Sequence, residues 1–320
     1  MKIAFHSGYL GFRGTEVALI DYARGNQEIL GNESLFLLPQ REGGEAHPVV
    51  HRMKSVARVR FYKSKEEREE ILKQEKADFF YCIKNGHADG VVSKTVPTGI
   101  HAIFRESQFH GDVYAYVSPW LSEVMSYGKT PWVPHMVSLG SAEYDLRKQL
   151  NIPTEAKVFG RHGGEDSFDI SWVQKAIVEV SQKNPLTHFI FLNTRTFSGS
   201  LGKRNIHFLP GTSEPGIKRS FVDACDAMIH ARTRGETFGL SCMEFAVLGK
   251  KVLTYSESPE KAHLELLGKA ALPYKDASTL AKWLSLNRFD YQLSIEAFRE
   301  AAMNYGPNHV MNKFRQVFLR

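Results

Sequence analysis

Lys2-Ile-Ala-Phe-His-Ser-Gly8 and, in the second half of the chain, Lys157-Val-Phe-Gly-Arg-His-Gly-Gly164 share one grammar. Each begins as a short run rich in Ile, Val and Phe, the composition of a buried strand, and ends on glycine. The first run leads through Gly11 and Gly14 into the apolar-periodic stretch Val17 to Tyr22. The second leads through a polar loop into Ile170 to Val180. Strand, glycine-bearing turn and helix in that order form the opening unit of a nucleotide-binding fold. Two openings predict two Rossmann-like domains with parallel sheets, an α/β class.

The rest of the chain alternates in the same way. The pattern predicts further strands at 35–38, 78–83, 99–104, 114–117, 188–192, 206–209, 227–230 and 251–255, with helices between most of them. Ser64, with Glu67 three residues on, is a capping box; Ser118-Pro119 sets a cap before a proline at the first helical position, with Gly128 as the stop, and Ser258-Pro259-Glu260 repeats it. The expected division is an N-terminal domain over residues 1–138 and a C-terminal domain over 139–305. The amphipathic segment 306–320, with Met311, Phe314, Val317 and Phe318 on one face, is assigned to the first.

At 320 residues with 42% hydrophobic and 24% charged side chains, the composition is that of an ordinary globular protein and excludes disorder or a fibrous repeat. No apolar run approaches the roughly 18 residues of a spanning helix, and Met1 to Gly14 lacks the charged and apolar regions of a signal peptide. A cytoplasmic protein is the expectation. Cys82, Cys225 and Cys242 are far apart and odd in number, which argues against a disulfide framework or a zinc site. The net charge of +6 is small for this length, and no nucleic-acid partner is expected from it. A small anionic ligand suits it equally well.

The most informative stretch is Asp226-Ala-Met-Ile-His-Ala-Arg-Thr-Arg-Gly-Glu-Thr-Phe-Gly-Leu-Ser-Cys-Met-Glu-Phe-Ala-Val-Leu-Gly-Lys-Lys-Val252. A strand ends near His230, a loop carries Glu236, and a helix starts around Leu240 and stops at Gly249. The amides of Phe238, Gly239 and Leu240 would face out of the helix start, where the dipole favours an anion such as a pyrophosphate. Glycine at 239 lets a ligand approach the backbone. Glu244 lies about one turn into the helix, with reach to sugar hydroxyls beyond the phosphates.

This stretch resembles the donor-binding motif of retaining glycosyltransferases of the GT-B fold, in particular the large family 4. Glu236, Phe238, Gly239 and Glu244 match the family's spacing position by position. The resemblance implies two Rossmann-like domains with a donor in the cleft between them, and transfer of a hexose from a nucleotide sugar with retention. It implies Arg161 on the diphosphate, Glu236 on the hydroxyls of the transferred sugar and Glu244 on the ribose. Base contacts would come from Pro210, Gly211 and Thr212. Arg13-Gly14-Thr15-Glu16 occupies the place of a Gly-Gly loop, which puts the amide of Gly14 toward the donor phosphate. GDP-mannose is slightly favoured over a UDP-hexose, and the acceptor would be a glycan, lipid or protein-linked sugar. No metal or other cofactor is implied, and no Asp-x-Asp element occurs in the chain.

The chain departs from the family in one respect. The lysine expected about six residues after the arginine is missing from His162-Gly-Gly-Glu-Asp-Ser-Phe168. Arg232 or Arg234 beside the glutamate loop would have to substitute, or activity is weakened. On the acceptor side, His101, Arg105 and Glu106 lie at or beyond the end of an expected strand. Arg52, Lys54, Arg58, Arg60, Lys63 and Lys65 form a run without acids. A solvated face is its simplest reading, and peripheral membrane contact through 52–65 and a homodimer are left open. Two rival classes remain: a dinucleotide-dependent oxidoreductase, although Gly8, Gly11 and Gly14 do not make Gly-x-Gly-x-x-Gly, and a sugar-nucleotide binding protein with weakened catalysis.

Overall fold

The computed structural model describes residues 1–12, 14–286 and 303–320; Arg13 lies outside the described residues. The chain forms two compact units, one of Met1–Met136 with Asn304–Arg320 and the other of Val137–Met303.

The first unit runs β1 (Lys2–Ser7), α1 (Gly14–Glu28), β2 (Glu33–Pro39), α2 (Pro48–Val56), β3 (Arg58–Tyr62), α3 (Lys65–Gln74), β4 (Phe79–Lys84), β5 (Thr98–Ala102), β6 (Val113–Tyr116) and α4 (Pro119–Ser126). Its sheet is parallel, in the order β3-β2-β1-β4-β5-β6. Strand side chains alternate between faces, so Ile3 and Phe5 of β1 share one face with Tyr81 and Ile83 of β4. Tyr22 of α1 covers that face together with the C-terminal helix Pro307–Phe318. The Phe314 ring centroid sits 5.0 Å from that of Tyr81 and 5.3 Å from that of Tyr22.

The second unit runs α5 (Leu146–Gln149), β7 (Lys157–His162), α6 (Ser171–Lys183), β8 (Thr187–Leu192), β9 (Ile206–Leu209), α7 (Pro215–Ala224), β10 (Ala227–His230), β11 (Gly235–Glu236), α8 (Leu240–Ala246), β12 (Lys251–Tyr255), β13 (Glu260–Lys261), α9 (Ala262–Leu267), β14 (Ala271–Tyr274) and α10 (Ala277–Ser285). Its six-stranded parallel sheet has the order β14-β12-β10-β7-β8-β9, the same winding as the first. In both sheets the order reverses beside the first strand of the unit, next to β4 in one and β10 in the other. Such a reversal leaves a crevice at the carboxyl ends of the two strands.

Local grammar explains most boundaries. Ser64 and Ser118 accept hydrogen bonds from the amides of Glu67 and Leu121, capping α3 and α4. Helix α8 ends with Gly249 left-handed at φ 71° and the Lys250 amide returning to the Phe245 carbonyl, a C-terminal closure that glycine favours. Ser258 does not start a helix: its hydroxyl bonds the Arg232 carbonyl, and Glu260–Lys261 pairs with Gly235–Glu236 as a short two-stranded ribbon. The strands β3 and β14 were not expected, because Arg58-Val-Arg-Phe-Tyr62 and Ala271-Leu-Pro-Tyr274 are short edge strands broken by charge or proline.

That finding also corrects the reading of 52–65 as one basic face. Arg52 is buried on α2 and reaches Asp21 at 3.3 Å, while Arg58 and Arg60 on β3 both pair with Glu75. Only Lys54, Lys63 and Lys65 of the six are exposed without such a pairing. No described helix is long and apolar enough to cross a membrane.

Replacing Phe314 with Ala removes an aromatic side chain enclosed by Phe5, Tyr22 and Tyr81. The expected cost is about 3–5 kcal/mol. A denaturant titration with probes in each unit should show the loss in the first; an unchanged midpoint there would show that the C-terminal helix contributes nothing to its core.

Candidate functional site

In the second unit the chain after β7 and the chain after β10 meet at the crevice. They are stitched together, since the Asp169 amide bonds the Ala231 carbonyl and the Asp169 carboxylate accepts from the Thr233 amide at 2.7 Å. This brings Arg161, near the end of β7, into the same region as Glu236, on the loop after β10.

The Glu236 loop needs two unusual glycines. Gly235 has φ 79°, and a Cβ there would lie 2.0 Å from the Glu260 carbonyl oxygen. Gly239, left-handed at φ 84° as the residue capping α8, has Glu236 and His263 side chains at the place of its missing Cβ. Glu236 itself is gripped from both sides. One oxygen accepts from Arg232 at 2.8 Å and the other lies 3.2 Å from His230 Nε2. Burial alone would raise its pKa, but the His230 hydrogen bond and the Arg232 charge overcome that and hold it at about 2. It is an ionised hydrogen-bond acceptor, unsuited to carry a proton at neutral pH.

Glu244, on the buried face of α8, is also ionised, held at about 2 by the Lys218 ammonium and the His162 ring against the opposing effect of burial. Lys218 of α7 bonds one oxygen, and His162 Nε2 lies 2.9 Å from the other, near but out of line for a hydrogen bond. Burial lowers the pKa of His162 against the opposing pull of Glu244. Lys218 thus holds one carboxylate oxygen and the His162 ring lies against the other, and Glu244 is only 3% exposed. The expected ribose contact would require one of these partners to give way.

Arg161 is buried as well. Its guanidinium donates to the carbonyls of Asn193 and Gly164 and to the hydroxyls of Thr194 and Ser167, and it lies 5.7 Å from the Phe168 ring centroid. Burial lowers its pKa to about 10, which leaves it charged at neutral pH. Its hydrogen bonds go to neutral oxygens, while the negative charges of Glu236 and Asp166 act on it through space.

Of the other expected donor residues, Phe238 and Gly239 are buried and Leu240 is half-buried at the start of α8. Pro210, Gly211 and Thr212 form the loop from β9 into α7, where Thr212 accepts from the Glu214 amide. Gly14 is the exposed first residue of α1 in the other unit.

The acceptor-side expectations divide. Arg105 is exposed and Glu106 half-buried, the latter with its carbonyl taken by the Tyr116 hydroxyl. His101 is fully enclosed, with Nδ1 2.6 Å from the Tyr81 hydroxyl and Nε2 2.8 Å from the Val133 carbonyl. A histidine with both nitrogens taken inside a core has no face for an acceptor, which corrects its candidacy. Arg234, offered as a substitute cation, pairs instead with Glu260.

Lys218, His162 and His230 escaped the sequence reading. Lys218 lies inside an ordinary amphipathic helix and has no motif around it. His162 and His230 could have been singled out as strand-end polar residues at the crevice. Among the described residues, no three His, Cys, Asp or Glu side chains converge in a way that could hold a metal.

This architecture, two parallel-sheet α/β domains of six strands each, is that of the GT-B fold. Solved structures share it across the whole chain. The crystal structure of Anabaena Alr3699/HepE in complex with UDP and glucose matches with a TM-score of 0.74 at 15% identity, covering 99% of this chain and 98% of that one. A glycosyltransferase from Rickettsia africae matches with a TM-score of 0.71 at 12% identity over 99% and 97%. WaaG, a glycosyltransferase involved in lipopolysaccharide biosynthesis, matches at 0.64 and 11% over 98% and 99%. No protein-family model and no curated protein matches the sequence.

The buried pair Lys218–Glu244 predicts an asymmetric mutational response. Lys218→Met alone leaves a buried carboxylate without its cation, at a cost of about 3–5 kcal/mol. Lys218→Met with Glu244→Leu should recover most of that loss in a denaturant titration, and additive losses would contradict the pairing. Acid should act through the same carboxylates. Their folded pKa values near 2 lie below the ordinary 4.5, so the stabilisation is present above the unfolded value and is lost as pH falls from about 4.5 toward 2. Each buried carboxylate held that far down contributes roughly 3 kcal/mol at neutral pH. Glu244→Gln should flatten the acid limb of stability against pH, and an unchanged limb would show that Glu244 does not drive it.

Proposed function

We propose that this chain is a glycosyltransferase that moves a hexose from a nucleotide sugar to a glycan, lipid or protein-linked acceptor, with retention and without a metal. The observation that carries this reading is the Glu236-x-Phe-Gly loop at the reversal point of the second sheet, with Arg232 paired to Glu236, the buried Arg161 nearby and the buried Lys218 paired to Glu244. Departure of a nucleoside diphosphate concentrates negative charge on its phosphates, and fixed donors in a water-poor crevice stabilise it. Arg161 suits that task because its hydrogen bonds are to neutral carbonyls and hydroxyls. Lys218, Arg232 and Arg234 are each paired with a carboxylate, and whichever takes the place of the missing family lysine would have to share its charge with that partner. Glu236, ionised and oriented, would accept hydrogen bonds from the hydroxyls of the transferred sugar. The UDP and glucose named for the Anabaena neighbour favour UDP-glucose as the first donor to test, with GDP-mannose as the competing arm. A cytoplasmic setting accords with three free, buried cysteines.

A second reading is favoured by one observation. One Glu244 oxygen and the Arg161 guanidinium are already bonded within the protein, as expected of a sugar-nucleotide binder with little turnover.

Calorimetric titration with UDP-glucose and GDP-mannose, followed by donor hydrolysis, separates the readings: binding with turnover supports the transferase, binding without it the second, and absence of binding refutes both. In the first case Arg161→Met should lower turnover by roughly 10²–10³. Equal turnover in variant and wild type, with the melting temperature measured alongside, would remove Arg161 from the reaction.

A further inference from the structure

Behind Glu236 runs a chain of three buried polar side chains. His230 Nε2 lies 3.2 Å from the Glu236 carboxylate, and His230 Nδ1 lies 2.9 Å from the Thr254 hydroxyl. The same hydroxyl lies 2.9 Å from Nε2 of His263. Thr254 and His263 have no exposed surface, and His230 is 5% exposed. The three come from different elements. His230 ends β10, Thr254 is its direct partner across the parallel pairing with β12, and His263 is supplied by α9. The Tyr274 hydroxyl from β14 fixes the His230 carbonyl at 2.8 Å.

Ionised Glu236 can only accept, so His230 must carry a proton on Nε2. Its Nδ1 is held by the Thr254 hydroxyl, and that hydroxyl is held in turn by Nε2 of His263. The His263 ring also lies beside the Glu236 backbone carbonyl, so the chain returns to the loop that it supports. The groups facing Glu236 are Arg232 and His230 in contact, with Arg161 and His263 nearby.

We propose that His230, held in place by Thr254 and His263, is the positioning residue that aims the Glu236 carboxylate at its ligand. Neither histidine moves a proton in this arrangement; they transmit orientation from the α9 end of the core to the loop. The inference rests on the transferase reading only for what Glu236 contacts.

The test uses the full-length protein labelled with ¹⁵N-histidine, with His230 and His263 assigned by His230→Gln and His263→Gln. Long-range ¹H–¹⁵N correlation near pH 8 should show His230 protonated on Nε2. Thr254→Val, which keeps the shape and removes the hydroxyl, should release His230 into a mixture of tautomers, and Thr254→Ser should restore the wild-type signal. On a turned-over nucleotide sugar, Thr254→Val should lower kcat roughly 10–100-fold, the scale of losing an outer partner that orients a ligating group, with rescue by Ser. A wild-type His230 protonated on Nδ1, or a tautomer indifferent to Thr254→Val, would overturn the proposal. A protein that turns over no nucleotide sugar would refute the transferase reading, while the tautomer measurement would still decide the chain.

Discussion

Two ionised glutamates inside one small crevice impose the main constraint on the second unit. A carboxylate removed from water must be met by cations and hydrogen-bond donors, or it becomes protonated. Glu236 is met by Arg232 and His230, and Glu244 by Lys218 and His162. These partners come from the ends of β7 and β10, the loop after β10, and helix α7. The arrangement therefore ties together the elements that border the reversal point of the sheet, and each side chain is placed by the need to neutralise another.

This explains why the crevice is built from several segments and not from the helix start alone. The short α8 starts beside Glu236 and carries Glu244, and these glutamates are useful only because the surrounding framework keeps them charged. Arg161 is the complementary case, a buried cation whose neighbours are carbonyls and hydroxyls.

Much of this was legible beforehand, and for clear reasons. Ten of the strands announce themselves as short Val-, Ile- and Phe-rich runs, because parallel strands are buried on both faces. Gly239 and Gly249 mark left-handed positions where a side chain is disfavoured, so the limits of α8 could be read from glycine alone. The edge strands β3 and β14 were hidden, since an edge strand has one open side and tolerates charge and proline. His101 was misjudged for a similar reason: a strand-end histidine looks the same in sequence whether it faces a crevice or, as here, satisfies Tyr81 and Val133 inside a core.

What the sequence determined by itself was the periodicity of burial, the backbone positions that demand glycine, and the spacing of Glu236 and Glu244 about one short helix. These are local properties, governed by φ/ψ sterics and by alternation along one element. Which cation meets which carboxylate was decided only by the tertiary structure. Lys218 stands near Glu244, and Thr254 and His263 behind Glu236, because separate helices and strands pack on one sheet. Electrostatic pairing depends on distance through space, and distance along the chain carries almost no information about it.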